Sequence, residues 1–141
     1  MKAIHCTAYG SPQVLKLKEV AKPIPRDQEL LIKLAATAVT PGDCEMRTLS
    51  IHPSMYPLFR LAVGITKPRN PILGMYFSGT IEALGAQVSV HEVGDEVFGT
   101  TGFTMGTNAE YVCVPAKGSF IKKPQSLTHI LAAAAPLGAW N

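Results

Sequence analysis

The imidazole and thiol side chains that could bind a metal or transfer a proton are few in this sequence and, apart from one adjacent pair, widely spaced. They are the histidines and cysteines His5, His52, His91, His129, Cys6, Cys44 and Cys113. A catalytic zinc ion needs three ligands of the His, Cys or carboxylate type that converge on one point. His5 and Cys6 are neighbours on a predicted strand and point to opposite faces, and the other histidines have no partner at ligand spacing. We therefore predict no metal site and interpret each histidine as a surface or satisfied polar residue.

A second candidate region is the segment LGMYFSGTIEALG at residues 73–85, in which glycines frame an apolar run. Gly74 and Gly79 enclose the pair Met75-Tyr76. The Tyr76 hydroxyl is a hydrogen-bond donor, although a strand tyrosine also serves as a core or cross-strand packing residue. Met75 fits either a flexible apolar wall for a flat aromatic substrate or a gap-filler in the core. The residue types alone leave both roles of this pair open.

Period-two alternation predicts the strands that would position this segment. They cover residues 2–6, 14–20, 29–39, 76–84, 95–98 and 109–114, and the first two form a hairpin. Turn residues stand between them, for example Gly10-Ser11-Pro12 and Val93-Gly94-Asp95. Short strands with a turn about every eight to twelve residues indicate a small antiparallel barrel or sandwich rather than a parallel sheet. The predicted fold class is mostly β with short helices.

The first predicted helix follows the long strand at residues 29–39. Thr40 stands before a proline, where it could cap a helix over residues 41–49. Asp43 and Arg47 are four residues apart and fall on one face of that helix. The interpretation that we favour for this pair is a structural ion pair.

Two further helices are predicted. Residues 55–63 could hold two helical turns inside a proline-interrupted loop that has room for substrate contacts. Thr128 is predicted to cap a helix that runs through Ala135. Residues 131–140 are apolar on nearly all helical faces, which predicts packing against a further domain or, if they are exposed, self-association.

Length and composition limit the class of protein. A chain of 141 residues has the size of one domain. The net charge of +3 is dispersed without a basic stripe, which argues against nucleic-acid binding. Three widely spaced cysteines and a start without a signal-peptide pattern predict the reducing cytoplasm. The apolar stretch 130–140 is shorter than the roughly 18 residues that a membrane span requires, so we predict no span.

Placed in order, several segments resemble the N-terminal half of a known superfamily. They read MKAI, YGSPQVLKLKEV, ELLIKLAATAVTPGD, LGMYFSGTIEALG, VGDEVFG, GTNAEYVCVP and LAAAAPLG. The sequence is similar to the medium-chain dehydrogenases and reductases, in particular to the zinc-free quinone oxidoreductase or ζ-crystallin-like branch. The likeness covers essentially all 141 residues. Its most specific parts are the glycine frame of residues 74–85 and the motifs VGDEV at 93–97 and AEYV at 109–112.

The resemblance implies that residues 1–141 form a GroES-like, partly open β barrel, which is the catalytic domain of the superfamily. It also implies a partner domain of the Rossmann type that binds NADPH, and we expect this domain to be missing from the chain. No GxGxxG-type phosphate loop occurs in the sequence. Gly99, Gly102 and Gly106 lie among predicted β hairpins and lack the strand–loop–helix context that such a loop needs.

The resemblance also assigns candidate site residues. In the zinc-dependent branch a cysteine stands at the position of Thr40 and a His-Glu pair at those of Met75 and Tyr76, so no zinc is expected here. Thr40 and Tyr76 become the expected catalytic donors to a substrate oxygen, although close relatives carry asparagine and often aspartate at these positions. Met75 and Tyr56 are expected to border the substrate. Asn141 stands where the family places a threonine close to the nicotinamide, which makes it the expected cofactor contact.

The implied activity is the NADPH-dependent reduction of quinones or other electron-poor carbonyl compounds. We expect the isolated chain to be inactive because its cofactor domain is missing, and we expect a homodimer or another self-associated form. An alternative is a stand-alone GroES-like binding or assembly module without redox activity. A chaperonin-like ring subunit has less support, since the specific motifs are those of dehydrogenases and a barrel alone does not fix function.

Overall fold

With the exception of one short strand, the strands and helices follow the order that the sequence pattern predicts. The computed structural model describes residues 1–49 and 56–138, of which residues 56–59 are described by their backbone alone. The strands are β1 (Lys2–Cys6), β2 (Leu15–Glu19), β3 (Glu29–Ala38), β4 (Tyr76–Leu84), β5 (Glu96–Thr100), β6 (Tyr111–Pro115) and β7 (Ser119–Lys122). The helices are α1 (Pro41–Thr48), α2 (Tyr56–Val63) and α3 (His129–Gly138), with single 3₁₀ turns at Pro12–Val14 and Gly102–Thr104.

The strands form two antiparallel sheets. β1 and β2 make the predicted hairpin, and the other five strands form a curled half-barrel in the order β6-β3-β4-β5-β7. Two isolated bridges, Ala3 with Ala109 and His5 with Ile72, attach the hairpin to segments that flank the larger sheet. The prediction of a mostly β, GroES-like partly open barrel is therefore confirmed.

The core lies on the concave face of the five-stranded sheet. Its buried members are Leu30, Ile32, Phe77, Ile81, Val97, Val112 and Val114. They alternate along their strands with residues of the opposite face, as expected for half-buried strands. Gly79 lies between two core residues of β4, and a Cβ atom there would stand 2.3 Å from the Lys33 carbonyl oxygen of β3. Close pairing of the two central strands therefore requires glycine at this position.

Helix α3 packs on the opposite face of the sheet, against β3, β4 and β5. Thr128 caps it as predicted, because its hydroxyl oxygen accepts the Leu131 amide at 3.3 Å. The buried residues Ala132 and Ala133 provide the close contact. The helix continues past the predicted end and includes Pro136. No helix among the described residues is long and apolar enough to cross a membrane.

The imidazole ring of His129 links the start of α3 to the sheet by hydrogen bonds. His129 Nδ1 lies 2.7 Å from the hydroxyl oxygen of Ser78, which is fully buried, and Nε2 lies 3.0 Å from Glu96 Oε1. Glu96 also pairs with Lys123. The hydrogen bonds from Lys123 and His129 lower the pKa of the Glu96 carboxyl. The interpretation of His129 as a satisfied polar residue is confirmed.

Strand β7 is the element that the sequence analysis missed. It has four residues, lies at the edge of the sheet and places Phe120 against the core. Four residues with a single core contact are too short for a periodic signal. The bounds of β5 and β6 differ from the predicted ones by one or two residues, which is the usual uncertainty of strand ends.

The three cysteines lie in different environments. Cys44 is exposed on α1, Cys6 is fully buried, and Cys113 is half-buried on β6. Burial raises the pKa of the Cys113 thiol to about 11, and the negative charge of Glu29 adds to this effect. Burial also raises the pKa of Cys6.

We predict that the three thiols react with an alkylating reagent at different rates. The thiolate is the reactive form, and a group with a pKa of about 11 is ionised to roughly 0.1% at pH 8. Iodoacetamide at pH 8 should therefore modify Cys44 first, as followed by peptide mass spectrometry. The Cys113 rate should rise about tenfold for each pH unit up to its pKa. In the Cys44→Ser control the fast phase should vanish, and equal rates for Cys44 and Cys113 in the folded protein would contradict the assignment.

Candidate active site

The candidate segment 74–76 begins at a glycine in the left-handed region of backbone conformation. Gly74 has a φ of +95°, and a Cβ atom there would stand 2.3 Å from Thr107 Oγ1 and 2.8 Å from the Asn108 amide nitrogen. No side chain fits without displacement of the backbone of the neighbouring loop. Gly74 therefore allows the chain to pass close to the loop at Thr107 and Asn108, and this contact fixes the backbone position from which Met75 and Tyr76 continue.

Three threonines hold the carbonyl groups of the segment 74–76. The Thr107 amide donates to the first carbonyl at 3.3 Å, the Thr101 amide to the second at 2.8 Å, and the Thr37 hydroxyl to the third at 2.8 Å. The Thr37 and Thr107 hydroxyl oxygens are 2.9 Å apart. The sequence analysis missed all three threonines, because they are 26 to 70 residues from their partners and no local spacing marks them.

Thr40 is the N-cap of α1, as predicted. Its hydroxyl donates to Asp43 Oδ2 at 2.9 Å and accepts the Asp43 amide at 3.4 Å. Asp43 Oδ2 accepts the Thr40 amide at 2.8 Å, which completes a capping box. The Thr40 side chain is buried, at 5% exposure, and its hydroxyl proton is directed at Asp43. The capping role is confirmed, and the role as a catalytic donor stays a prediction.

The predicted ion pair between Asp43 and Arg47 is wrong. Among the described residues no ion pair joins the two side chains, because each has another partner. Asp43 Oδ1 accepts the Gly74 amide at 2.9 Å, and the Arg47 guanidinium donates to the Gly10 carbonyl. The four-residue spacing was correct for one helix face, but backbone groups from two distant segments reach these side chains first.

The Met75 side chain packs against α1 and the hairpin side of the domain. A Cβ atom on Gly42, at the start of α1, would stand 3.0 Å from Met75 Cε. Met75 also packs on the small buried cluster of Cys6, Leu73 and Met105. The residue is partly exposed. Both interpretations of Met75 fit this position, since the side chain fills a gap and also forms an apolar surface.

Tyr76 begins β4, where it pairs with Ala38 of β3 and Thr100 of β5. Its side chain is half-buried, and no described residue forms a hydrogen bond with its hydroxyl. A tyrosine hydroxyl normally has a partner when it is buried. Among the described residues, the Tyr76 hydroxyl is therefore a donor that a ligand could use without displacing an internal bond.

The structure brings together three of the five candidate site residues. Thr40, Met75 and Tyr76 meet where the end of β3 and the start of α1 approach the start of β4. Tyr56 is the first residue of α2, and its side chain lies outside the described part of the structure. Asn141 also lies outside the described residues. The roles of these two residues stay predictions.

Two cavities lie on the domain, one beside the candidate site and one at the other end of the sheet. One, of about 690 Å³, is an open cleft between the hairpin, the end of β3 and α1, and its lining includes Thr37 and Asp43. The other, of about 840 Å³, lies at the opposite mouth of the barrel, around Arg26 and Lys117. Neither is lined by Thr40, Met75 or Tyr76. Within the described ranges, no group of three or more His, Cys, Asp or Glu residues is arranged to hold a metal ion.

Comparison with known proteins gives a consistent result. The profile of the alcohol dehydrogenase GroES-like domain matches residues 26–125. The quinone oxidoreductase of Lama guanicoe is 39% identical over 113 residues, which cover 79% of this chain and 30% of that protein. The solved quinone oxidoreductase of Coxiella burnetii has 34% identity and a TM-score of 0.80, with 96% of this chain and 41% of that one covered.

A mycobacterial protein solved in complex with NADPH is also similar, at 32% identity and a TM-score of 0.76. The similar region covers 97% of this chain and 38% of the mycobacterial protein. The chain therefore spans 30% to 41% of the length of these three proteins.

We predict that Gly74→Ala is far more destabilising than Gly94→Ala. Both glycines have a φ near +95°, but a Cβ atom on Gly94 meets nothing within 4 Å. Gly94→Ala should therefore cost about 1 kcal/mol of unfolding free energy, from backbone strain alone. Gly74→Ala adds the clash with Thr107 and Asn108 and should cost about 3 kcal/mol or more. Urea unfolding measures both, and equal losses would contradict the close approach at Gly74.

Proposed function

The chain belongs to the alcohol dehydrogenase GroES-like domain family, and we propose that it is the substrate-side domain of an NADPH-dependent oxidoreductase that reduces quinones or other electron-poor carbonyl compounds. The family match over residues 26–125 and the identity to quinone oxidoreductases confirm the resemblance found in the sequence. The observation that carries the reaction is Tyr76, a half-buried hydroxyl at the start of β4 with no hydrogen-bond partner among the described residues.

The cofactor phosphates do not fit the described residues of this chain. A dinucleotide is held by a glycine-rich loop between a strand and the N-terminus of a helix. Here Gly99 lies inside β5, Gly102 begins a 3₁₀ turn and Gly106 lies in the loop after it. We therefore propose that a Rossmann domain outside these residues binds NADPH. The similarity to a longer mycobacterial protein in complex with NADPH supports this division.

The contribution of this chain is to bind the substrate and to stabilise charge. Reduction of a quinone adds a hydride and a proton, and negative charge develops on the carbonyl oxygen as the hydride arrives. A hydrogen-bond donor aimed at that oxygen stabilises the charge. The Tyr76 hydroxyl can serve as this donor, whereas the Thr40 hydroxyl already donates to Asp43. The exposed side of Met75 offers an apolar surface to the flat ring.

The exposed face of α3 supports the proposal of a further domain. Ile130 and Leu131 are 76% and 58% exposed, next to the buried alanines that hold the helix on the sheet. Adjacent exposed apolar side chains on a helix are typical of an interaction surface. We propose that the cofactor domain covers this face in the complete protein and that a second copy covers it in the 141-residue chain. The cytoplasmic location stays a prediction.

A titration with duroquinone tests the substrate-side role directly. Each of the ring carbons open to attack in simpler quinones carries a methyl group in duroquinone, which limits addition of the exposed Cys44 thiol to the ring. In the ¹⁵N-labelled chain we expect the amide resonances of residues 74–76 to move on titration, while NADPH moves none of them. If duroquinone moves no resonance in this segment, the chain is better described as a GroES-like module without redox activity.

Activity is tested in the polypeptide extended through the cofactor domain, where the gene encodes one. Loss of one oxyanion donor costs on the order of 100-fold in kcat, so Tyr76→Phe should lower kcat by roughly 10- to 100-fold. Tyr111→Phe is the matched control, because Tyr111 lies on the edge strand β6 beside Lys22. An equal effect of the two substitutions would remove Tyr76 from the mechanism.

We predict that the 141-residue chain self-associates through α3. Leu131→Glu should shift the chain to a monomer in sedimentation velocity, because it places a charge in the apolar contact. Val90→Lys is the control, since Val90 is 74% exposed in a loop at the other mouth of the barrel. A wild-type chain that is monomeric at about 100 μM, a concentration at which a weak dimer still forms, would contradict the prediction.

A further inference from the structure

One buried carboxylate connects the two halves of the candidate site. Asp43 Oδ2 accepts the amide and the hydroxyl of Thr40, and Oδ1 accepts the Gly74 amide at 2.9 Å. Thr40 and Gly74 are far apart in the sequence, and the Asp43 side chain is buried at 5% exposure. A buried carboxylate that accepts three hydrogen bonds is held in one orientation, because each bond to a charged acceptor is strong and directional.

The surroundings of Asp43 show what stabilises its charge. Among the described residues no Lys, Arg or His pairs with this carboxylate, and Arg47 on the same helix donates to Gly10 instead. Three donors and the positive end of the α1 dipole therefore compensate the charge. Any displacement of Gly74 removes one of these donors, so the position of Gly74 is coupled to the cap of α1.

The bond from Asp43 to Gly74 differs from the other bonds of the segment 74–76. The threonines Thr37, Thr101 and Thr107 hold its carbonyl groups on the side of the sheet and the loop that follows it. Within the described ranges, Asp43 provides the one hydrogen bond between α1 and this segment. The distance from Thr40 and α1 to Met75 and Tyr76 therefore depends on Asp43.

We propose that Asp43 is the positioning residue of the substrate site: its carboxylate fixes the segment Gly74–Tyr76 against the capped start of α1, and thereby sets where the Tyr76 hydroxyl and the Met75 surface meet the substrate. This inference rests on the proposed function. A displacement of about 1 Å at a reacting group can change a rate by about 100-fold. Asp43 acts through Tyr76 and Met75 and does not itself touch the substrate.

Asp43→Glu separates positioning from capping. Glutamate is the usual residue at the third position of a capping box, so this variant keeps the cap on Thr40 while its longer side chain moves the carboxylate away from Gly74. Asp43→Asn is the second variant, because it keeps the shape and removes the charge. Arg47→Gln is the matched control: it breaks another side-chain bond from α1 to a distant carbonyl, that of Gly10, without reaching Gly74.

The measurements are the Gly74 amide resonance, the affinity for duroquinone and the urea midpoint of each variant. In Asp43→Glu and Asp43→Asn we expect the Gly74 amide proton to move upfield and duroquinone binding to weaken about tenfold. The Arg47→Gln variant should bind duroquinone within about twofold of wild type, even where its urea midpoint falls as far as that of Asp43→Glu.

Three outcomes would overturn the inference. If Asp43→Glu displaces the Gly74 resonance and leaves duroquinone affinity unchanged, the position of the segment does not control binding. If Arg47→Gln weakens binding as much as Asp43→Glu, the effect is general destabilisation of α1. If the wild-type chain does not bind duroquinone, the proposed function fails first and the positioning role fails with it.

Discussion

The antiparallel pairing of β3 with β4 is the constraint on which the candidate site depends. Its register places Ala38 opposite Tyr76, so the chain that leaves β3 through Thr40 and the chain that enters β4 through Gly74 arrive at the same end of the sheet. Close pairing at Gly79 brings the two central strands together. Without this register, the segment 74–76 and the start of α1 would not meet, and Asp43 could not bond to Gly74.

Where these two segments meet, the buried Asp43 carboxylate holds the backbone of both in place. The Asp43 carboxylate accepts hydrogen bonds from Thr40 and from the Gly74 amide. The carboxylate needs its surroundings dry and rigid, since each lost donor would leave buried charge uncompensated. The cap and the segment 74–76 are therefore parts of one hydrogen-bonded unit, and the Tyr76 hydroxyl has no hydrogen-bond partner among the described residues.

The domain has two surfaces that point outside its own core. The start of β4 presents the partly exposed Met75 and Tyr76, and α3 presents Ile130 and Leu131 on the other face of the sheet. His129 fastens α3 by hydrogen bonds to the buried Ser78 and to Glu96, so the apolar face is displayed on a fixed helix.

The sequence by itself determined the local features: strand alternation, the caps at Thr40 and Thr128, and the motifs that identify the family. Each depends on residues only a few positions apart, so spacing alone records it. Only the tertiary structure decided that the Asp43 carboxylate accepts the Gly74 amide and that the Tyr76 hydroxyl has no partner among the described residues. The four-residue spacing favoured Arg47 as the partner of Asp43, yet the register of β3 and β4 brings the Gly74 amide within hydrogen-bond distance of Asp43 instead. Side chains bond to what the fold brings within reach, and residues distant in sequence leave no periodic trace of their contact.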